Sequence, residues 1–236
     1  MCGRYVLRHV EQARKELARL GFRADALAHI VARYNISPSQ LVPVVAAAEP
    51  PAGRLMRWGF VPPWEKAAKP ALAPVNARSE DALAKPMFRH AVQHRRCVLP
   101  ADGYYEWHRR SPTDKQPYCF ALATDETFFI AGLHTAATDL HPETCALLTC
   151  GPNELTGRIH DRMPVILPGD ALSTWLRPGP LTPETYRECC RPYPANRMRT
   201  WPVSTLVNKP AHDTPDCVVP VLLSPPPDTG LLPGLT

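Results

Sequence analysis

The chain has 236 residues, 44 % apolar and 21 % charged, which suits one globular domain with a sizeable core and excludes a disordered or fibrous protein. No apolar run is long enough to cross a bilayer, and the opening Met1-Cys2-Gly3-Arg4-Tyr5 has no signal-peptide stretch, so a cytoplasmic location is expected. The net charge of +5 and pI of about 8.8 permit nucleic-acid binding without requiring it.

The 29 prolines predict short elements joined by many ordered loops. In chain order, Val10, Ala13, Leu17 and Leu20 share one helical face, which Gly21 can close. Pro38 and Pro43 bound a loop that enters a short apolar strand at 41–47. Residues 55–61 read as another strand, stopped by Pro62-Pro63. Ser79 is placed to cap a short helix running to about Lys85. Strands are predicted at 97–99 and, after the Asp102-Gly103 turn signal, at 104–107. Residues 118–123 and 128–133 flank the polar link Thr124-Asp125-Glu126-Thr127 and read as a hairpin. Short apolar segments at 145–149 and 165–167 read as strands. Helices are predicted at 171–176 and 183–190, the second with Thr182 as cap and Pro183 as first residue. A last strand is expected at 218–223. The Pro- and Gly-rich 224–236 reads as a disordered tail behind a single domain at 2–223. Without an internal repeat or regular βαβ alternation, the expectation is an α+β fold with a mainly antiparallel, barrel-like β core and short flanking helices.

Eight cysteines contain no CxxC pair, and the chain has no HExxH, so no metal site is predicted. Apart from Cys2, each reads as a small buried hydrophobe. Cys2 differs because a small residue after Met1 favours removal of the initiator methionine, which would leave Cys2 with a free α-amine. That amine has a pKa of about 7.7–8.0, so part of it is neutral and nucleophilic near pH 7. The thiol sits near 8.5, and cationic neighbours such as Arg4 can lower it. Such a pair reacts with aldehydes: the amine forms an imine, and the sulfur closes on the imine carbon to give a thiazolidine. Ring closure is intramolecular, so proximity favours it.

Several short blocks, in order, resemble those of the SRAP family, named for SOS response-associated peptidases and also described as abasic-site processing proteins. They are Met1-Cys2-Gly3-Arg4-Tyr5, Arg57-Trp58-Gly59-Phe60-Val61-Pro62, Asn76-Ala77-Arg78-Ser79-Glu80 and the run from Arg95 to Trp107. His160-Asp161-Arg162-Met163-Pro164-Val165, Trp201-Pro202-Val203-Ser204 and Val207-Asn208 complete the set. The resemblance implies one α+β domain with a shallow basic groove, single-stranded DNA containing abasic sites as the partner, and a thiazolidine formed with the opened sugar. It implies Cys2 as nucleophile with Asn76, Glu106 and His160 around it, and no metal or organic cofactor.

From the residues alone, Glu106 on a strand shared with Tyr104 is either a structural partner for an arginine or a catalytic carboxylate; the resemblance favours the second, orienting the Cys2 amine and shuttling its protons. His160 is expected to protonate the sugar ring oxygen and release the aldehyde. The Asn76 amide is suited to hold a sugar hydroxyl or a backbone group. Arg4, Arg78 and Arg162 are the phosphate-binding candidates, and Trp64 is a candidate for base stacking. Glu65 stands after Trp64, where members often have an aromatic or apolar residue, and Thr149-Cys150-Gly151 replaces a run commonly rich in Ala and Thr; Cys150 is expected to be buried. His94-Arg95-Arg96 reads either as part of a basic patch or as an ordinary solvated face. Two other functions stay open: a thiol peptidase, which would not need a free amine, and a noncovalent sensor of lesions. A monomer is expected.

Overall fold

In the computed structural model, residues 2–19, 30–48 and 52–223 are described. The five predicted strands from 41 to 149 that are richest in apolar side chains supply most of a closed barrel. Its members are β3 (Leu41–Ala46), β4 (Ala52–Trp58), β6 (Arg96–Ala101), β9 (Phe128–Thr135) and β10 (Thr144–Cys150). They pair in the order β10-β4-β3-β6-β9, and a β9–β10 ladder closes the ring. All contacts in the ring are antiparallel except β4–β10. Every residue of β9 and β10 is buried, since their outer sides are covered as well. The expected barrel-like core is therefore present.

Short strands extend this barrel. β5 (Asn76–Arg78) runs parallel to β10 beyond the point where β4 leaves it, so β10 pairs first with Arg57 and Trp58 and then with Asn76, Ala77 and Arg78. β11 (Met163–Pro164) pairs with the end of β10, and β12 (Ile166–Leu167) pairs with β9. A second, all-antiparallel sheet has the order β13-β8-β7-β1-β2. It is built from β1 (Tyr5–Leu7), β2 (Arg33–Ile36), β7 (Gly103–Arg109), β8 (Lys115–Leu122) and β13 (Met198–Pro202).

Helices flank the sheets. α1 (Val10–Arg19) buries Ala13 and Leu17, as its periodicity predicts; Leu20 and Gly21 lie outside the described residues. Asp102, buried between β6 and β7, accepts backbone N–H bonds from Arg8 and His9 just ahead of α1, and a hydroxyl bond from Thr127 at 2.6 Å. α2 (Ser79–Ala82) starts with Ser79 inside the helix, where it is buried, rather than as its cap; Arg78 takes the cap position with no side-chain bond. α3 (Pro86–His94) is missed by the sequence reading because its apolar positions, Phe88, Ala91 and Val92, are few and bracketed by histidines. α4 (Gly169–Leu176) and α5 (Pro183–Cys189) stand where predicted, and the Thr182 side chain caps α5 by accepting from the Thr185 N–H at 3.2 Å.

Three further expectations are corrected. The strands flanking Thr124–Thr127 do not form a hairpin: β8 pairs with β7 and β13, whereas β9 enters the barrel. The link has no Asn-Gly or Asp-Gly turn to fold it back. Asp125 instead takes a left-handed φ of 60° and pairs with Arg8 and Arg199, while Thr127 bonds Asp102. Residues 218–223 are not a strand. A 3-10 turn covers Pro215–Val218, and the only pairing there is one bridge between Val203 and Pro220, where proline offers no N–H to continue a ladder. Arg96 is not on a solvated face. It is 1 % exposed and donates to the carbonyls of Val92, Trp175 and Gly179 at 2.9–3.0 Å, closing the C-terminal ends of α3 and α4. The segment 224–236 lies outside the described residues.

Candidate active site

The first strand carries the chain's second residue into the zone between barrel and sheet. β1 pairs with β7 through Tyr5↔Tyr104, which sets Cys2 near the middle of β7. Cys2 is fully buried, with its Sγ 3.9 Å from the Arg4 carbonyl. Burial pushes its thiol well above the usual cysteine range, and the nearby charge of Glu106 pushes the same way. From β5, the Asn76 Nδ2 donates to the Cys2 carbonyl at 2.8 Å, while its buried Oδ1 has no hydrogen-bond partner among the described residues.

Pleating separates the two faces of β7, as expected: Tyr104 joins the main core, and Tyr105 joins a smaller cluster with Val203, Val207 and Cys217. Glu106 falls on the Tyr104 side and is 1 % exposed. Burial raises its carboxyl to about 7. The His160 Nε2 lies 3.8 Å from Glu106 Oε2. His160 follows a 3-10 turn at Thr156–Arg158, whose Thr156 is fixed by Asn153 Oδ1 and by the Tyr104 hydroxyl at 3.0 Å. The Arg162 backbone N–H donates to His160 Nδ1 at 3.0 Å. Nδ1 also lies 3.2 Å from Asp161 Oδ1 and 3.3 Å from the Arg162 carbonyl, so it can accept or donate, and Nε2 is the atom that faces Glu106. Burial lowers the His160 pKa from its ordinary value, which favours the neutral ring.

The four residues expected to act together, Cys2, Asn76, Glu106 and His160, therefore meet. The expected DNA contacts divide. Arg78 is exposed on β5. Trp64 is 56 % exposed, but lines a separate small cavity of about 110 Å³ with Phe60, Met87, His90 and His134. Arg4 donates to Asn35 Oδ1 at 2.8 Å and to the Val207 carbonyl. Arg162 makes a two-pronged pair with Glu80, both bonds 2.8 Å, and also donates to the Thr149 carbonyl. Cys150 is buried at the end of β10, as expected.

Glu106 and His160 open onto a cleft of about 550 Å³. Its other walls are Trp107, Arg109, Lys115 and Asn208, with Ile159 and Asp161 beside the histidine. Sequence reasoning did not single out these four. Arg109 and Lys115 face each other across the β7–β8 hairpin, a pairing hidden while residues 118–123 were assigned to a different hairpin. Trp107 adjoins Glu106 in its block, and its Nε1 donates to Asn208 Oδ1 at 2.7 Å; the Val207-Asn208 block was the available signal.

Comparison with known proteins gives a consistent result. The family profile described as SOS response associated peptidase (SRAP) matches residues 1–210. The abasic site processing protein YoqW of Bacillus subtilis (strain 168) is 38 % identical over 192 residues, covering 78 % of this chain and 84 % of that protein. The abasic site processing protein HMCES of Gallus gallus is 33 % identical over 198 residues, covering 72 % of this chain and 58 % of that protein. Among solved structures, one from Bacteroides thetaiotaomicron superposes with a TM-score of 0.81 at 23 % identity, over 94 % of this chain and all of that one, which speaks for the fold. The length of the profile match and the identity to these relatives settle the assignment: this chain belongs to the SRAP family.

Proposed function

We propose that the protein processes abasic sites in single-stranded DNA by capturing them covalently on Cys2. The observation that carries this reading is the convergence of a carbonyl-anchoring amide, a buried carboxyl raised to about 7 and a histidine whose Nε2 faces that carboxyl, around the second residue of the chain. Relatives named abasic site processing proteins support it.

In this reading the strand lies along the cleft, with Arg78, Arg109 and Lys115 near its phosphates and Trp107 or Trp64 against its bases. Arg4 and Arg162 shape the walls through their protein partners and offer their remaining N–H groups to the backbone. His160 assists cleavage of the C1′–O4′ bond through its Nε2–H, so that the closed sugar opens to the aldehyde. The Cys2 amine, freed by loss of Met1, adds to C1′. Glu106 accepts the amine proton and returns it to the departing hydroxyl, which leaves as water. The Cys2 sulfur then adds to the imine carbon while its proton passes to nitrogen, and a thiazolidine closes. The net change is loss of one water. Asn76 holds the Cys2 carbonyl, which fixes both nucleophiles relative to C1′.

A thiol kept protonated by burial is poorly prepared for direct attack on a peptide bond but suits a sequence in which the amine reacts first. The test is to incubate the protein with an oligonucleotide bearing one abasic site and run a denaturing gel. A shifted band is expected for the wild type and none for Cys2→Ala or for a chain extended ahead of Cys2. A band that persists in both variants would contradict the proposal. Cleavage of unrelated peptides by the extended chain would favour a thiol peptidase.

A further inference from the structure

Away from the cleft, one short segment gathers three different metal-binding side chains. His212 Nε2, a carboxylate oxygen of Asp216 and Cys217 Sγ all lie within 4.8 Å of one another. They are contributed by six consecutive residues, His212 to Cys217, at the 3-10 turn that replaces the expected last strand. We propose that His212, Asp216 and Cys217 form a binding site for a zinc-class divalent cation.

The donor set suits such an ion. An imidazole, a carboxylate and a thiolate are the nitrogen, oxygen and sulfur ligands that zinc accepts, and the two anionic groups neutralise its charge. The fourth position falls on the solvent side, because His212 and Asp216 are partly exposed whereas Cys217 is buried beneath them. The surroundings orient the donors. The Thr214 hydroxyl donates to Asp216 Oδ1, which leaves Oδ2 directed at His212 Nε2, 2.9 Å away. This is the outer hydrogen bonding that a ligating carboxylate needs. The Cys217 thiol donates to the His212 carbonyl at 3.3 Å, which ties the sulfur to the histidine's backbone.

The backbone bearing these groups is held from below, so the ligands are placed in advance. The buried Asn35 donates to the His212 carbonyl at 2.7 Å and to the Lys209 carbonyl at 3.0 Å. Asp213 is fixed by the Asn35 N–H at 2.8 Å and by Arg33. Binding replaces the Cys217 thiol proton, which goes to solvent, and requires His212 Nε2 to present its lone pair to the ion. The segment continues from Asn208, which holds Trp107 at the cleft, so an ion here would steady one wall of the proposed DNA site.

The experiment uses the full chain with Cys2→Ala, because a free aminothiol at position 2 would itself bind metal. Co2+ is added as the probe and Zn2+ as its competitor. One equivalent of Co2+ with thiolate-to-metal charge-transfer absorption, displaced by Zn2+, is expected. His212→Ala and Asp216→Asn, both at partly exposed positions, should each weaken binding by at least about tenfold. Zn2+ should also raise the thermal midpoint, by at least about 2 °C, in the parent and not in His212→Ala. Cys217→Ser should remove the charge-transfer band; since Cys217 is buried, the two exposed substitutions decide the matter should that variant fail to fold. Absence of the band in the parent, or affinity unchanged by both exposed substitutions, would overturn the site. No DNA is involved, so the result is independent of abasic-site capture.

Discussion

Glu106 is a carboxyl that folding moves from water into nearly dry surroundings, and its raised pKa has two consequences of definite sign. A folded-state pKa above the unfolded value gives a stabilising contribution that is complete below the ordinary carboxylate range, near 4.5, and is lost as pH rises to about 7. Glu106→Gln removes that titration. Its thermal midpoint should therefore gain on the wild type between pH 4.5 and 8, and a constant gap over this window would contradict the burial argument. For capture, the ionised form is the one that accepts a proton. The wild-type rate should rise through pH 7, whereas Glu106→Gln should be slower several-fold or more and follow the amine alone, rising up to about pH 7.7–8.0 and levelling off above it. His160→Ala should slow capture by roughly 10²-fold, the lower end of general acid–base contributions, while binding to intact single strands stays within about twofold. Equal rates from pH 5 to 8 would remove the histidine from the reaction. At this scale the sequence was informative in one respect and silent in another. The blocks around Cys2, Asn76, Glu106 and His160 were readable as text, and the four residues do meet. The protonation tendencies were not readable, because they depend on burial that only the folded chain creates.

Among the elements, legibility followed how local the forces are. α5 was readable because its cap lies in Thr182, one residue before it. The anchoring of the backbone just ahead of α1 was not, because it comes from Asp102, more than ninety residues away. The false hairpin arose because strand pattern says that 118–123 and 128–133 are extended but not which strands they join, and every residue of β9 is buried whichever partner it takes. Arg96 shows the same limit: in sequence it resembles its half-buried neighbour Arg95, yet it closes two helix ends at once. Arg96→Met keeps much of the side-chain volume but leaves several buried carbonyls without a donor. It should destabilise the fold by at least about 3 kcal/mol in chemical denaturation, and a loss under 1 kcal/mol would contradict this role. Gly132 of β9 is a second test. A Cβ there would stand 2.9 Å from Leu99 Cδ1, 3.0 Å from the Ala146 oxygen and 3.1 Å from Cys97 Sγ, where β6, β9 and β10 converge inside the barrel. Gly132→Ala should cost about 1–3 kcal/mol by overpacking.

Across the whole molecule, the barrel and the second sheet are separate hydrogen-bonded units, and the site sits where they meet. β5 on the barrel side carries Asn76, and β1 and β7 on the sheet side bring Cys2 and Glu106. Among the described residues, no helix is long and apolar enough to cross a membrane. The excess of five positive charges and the exposed Arg78, with Arg109 and Lys115 on the cleft, predict binding to single strands that weakens with salt. For about three phosphate contacts the slope of log affinity against log salt should be about −2, and Arg78→Ala should make it shallower by about 0.7. An affinity indifferent to salt would exclude an electrostatic cleft. The most direct test of the account is the intact mass of the protein after incubation with an abasic oligonucleotide. A species equal to the chain without Met1 plus the oligonucleotide minus one water is expected, with the attachment mapped to residue 2. A denatured mixture holding only the two unjoined masses, or a conjugate attached elsewhere, would contradict it.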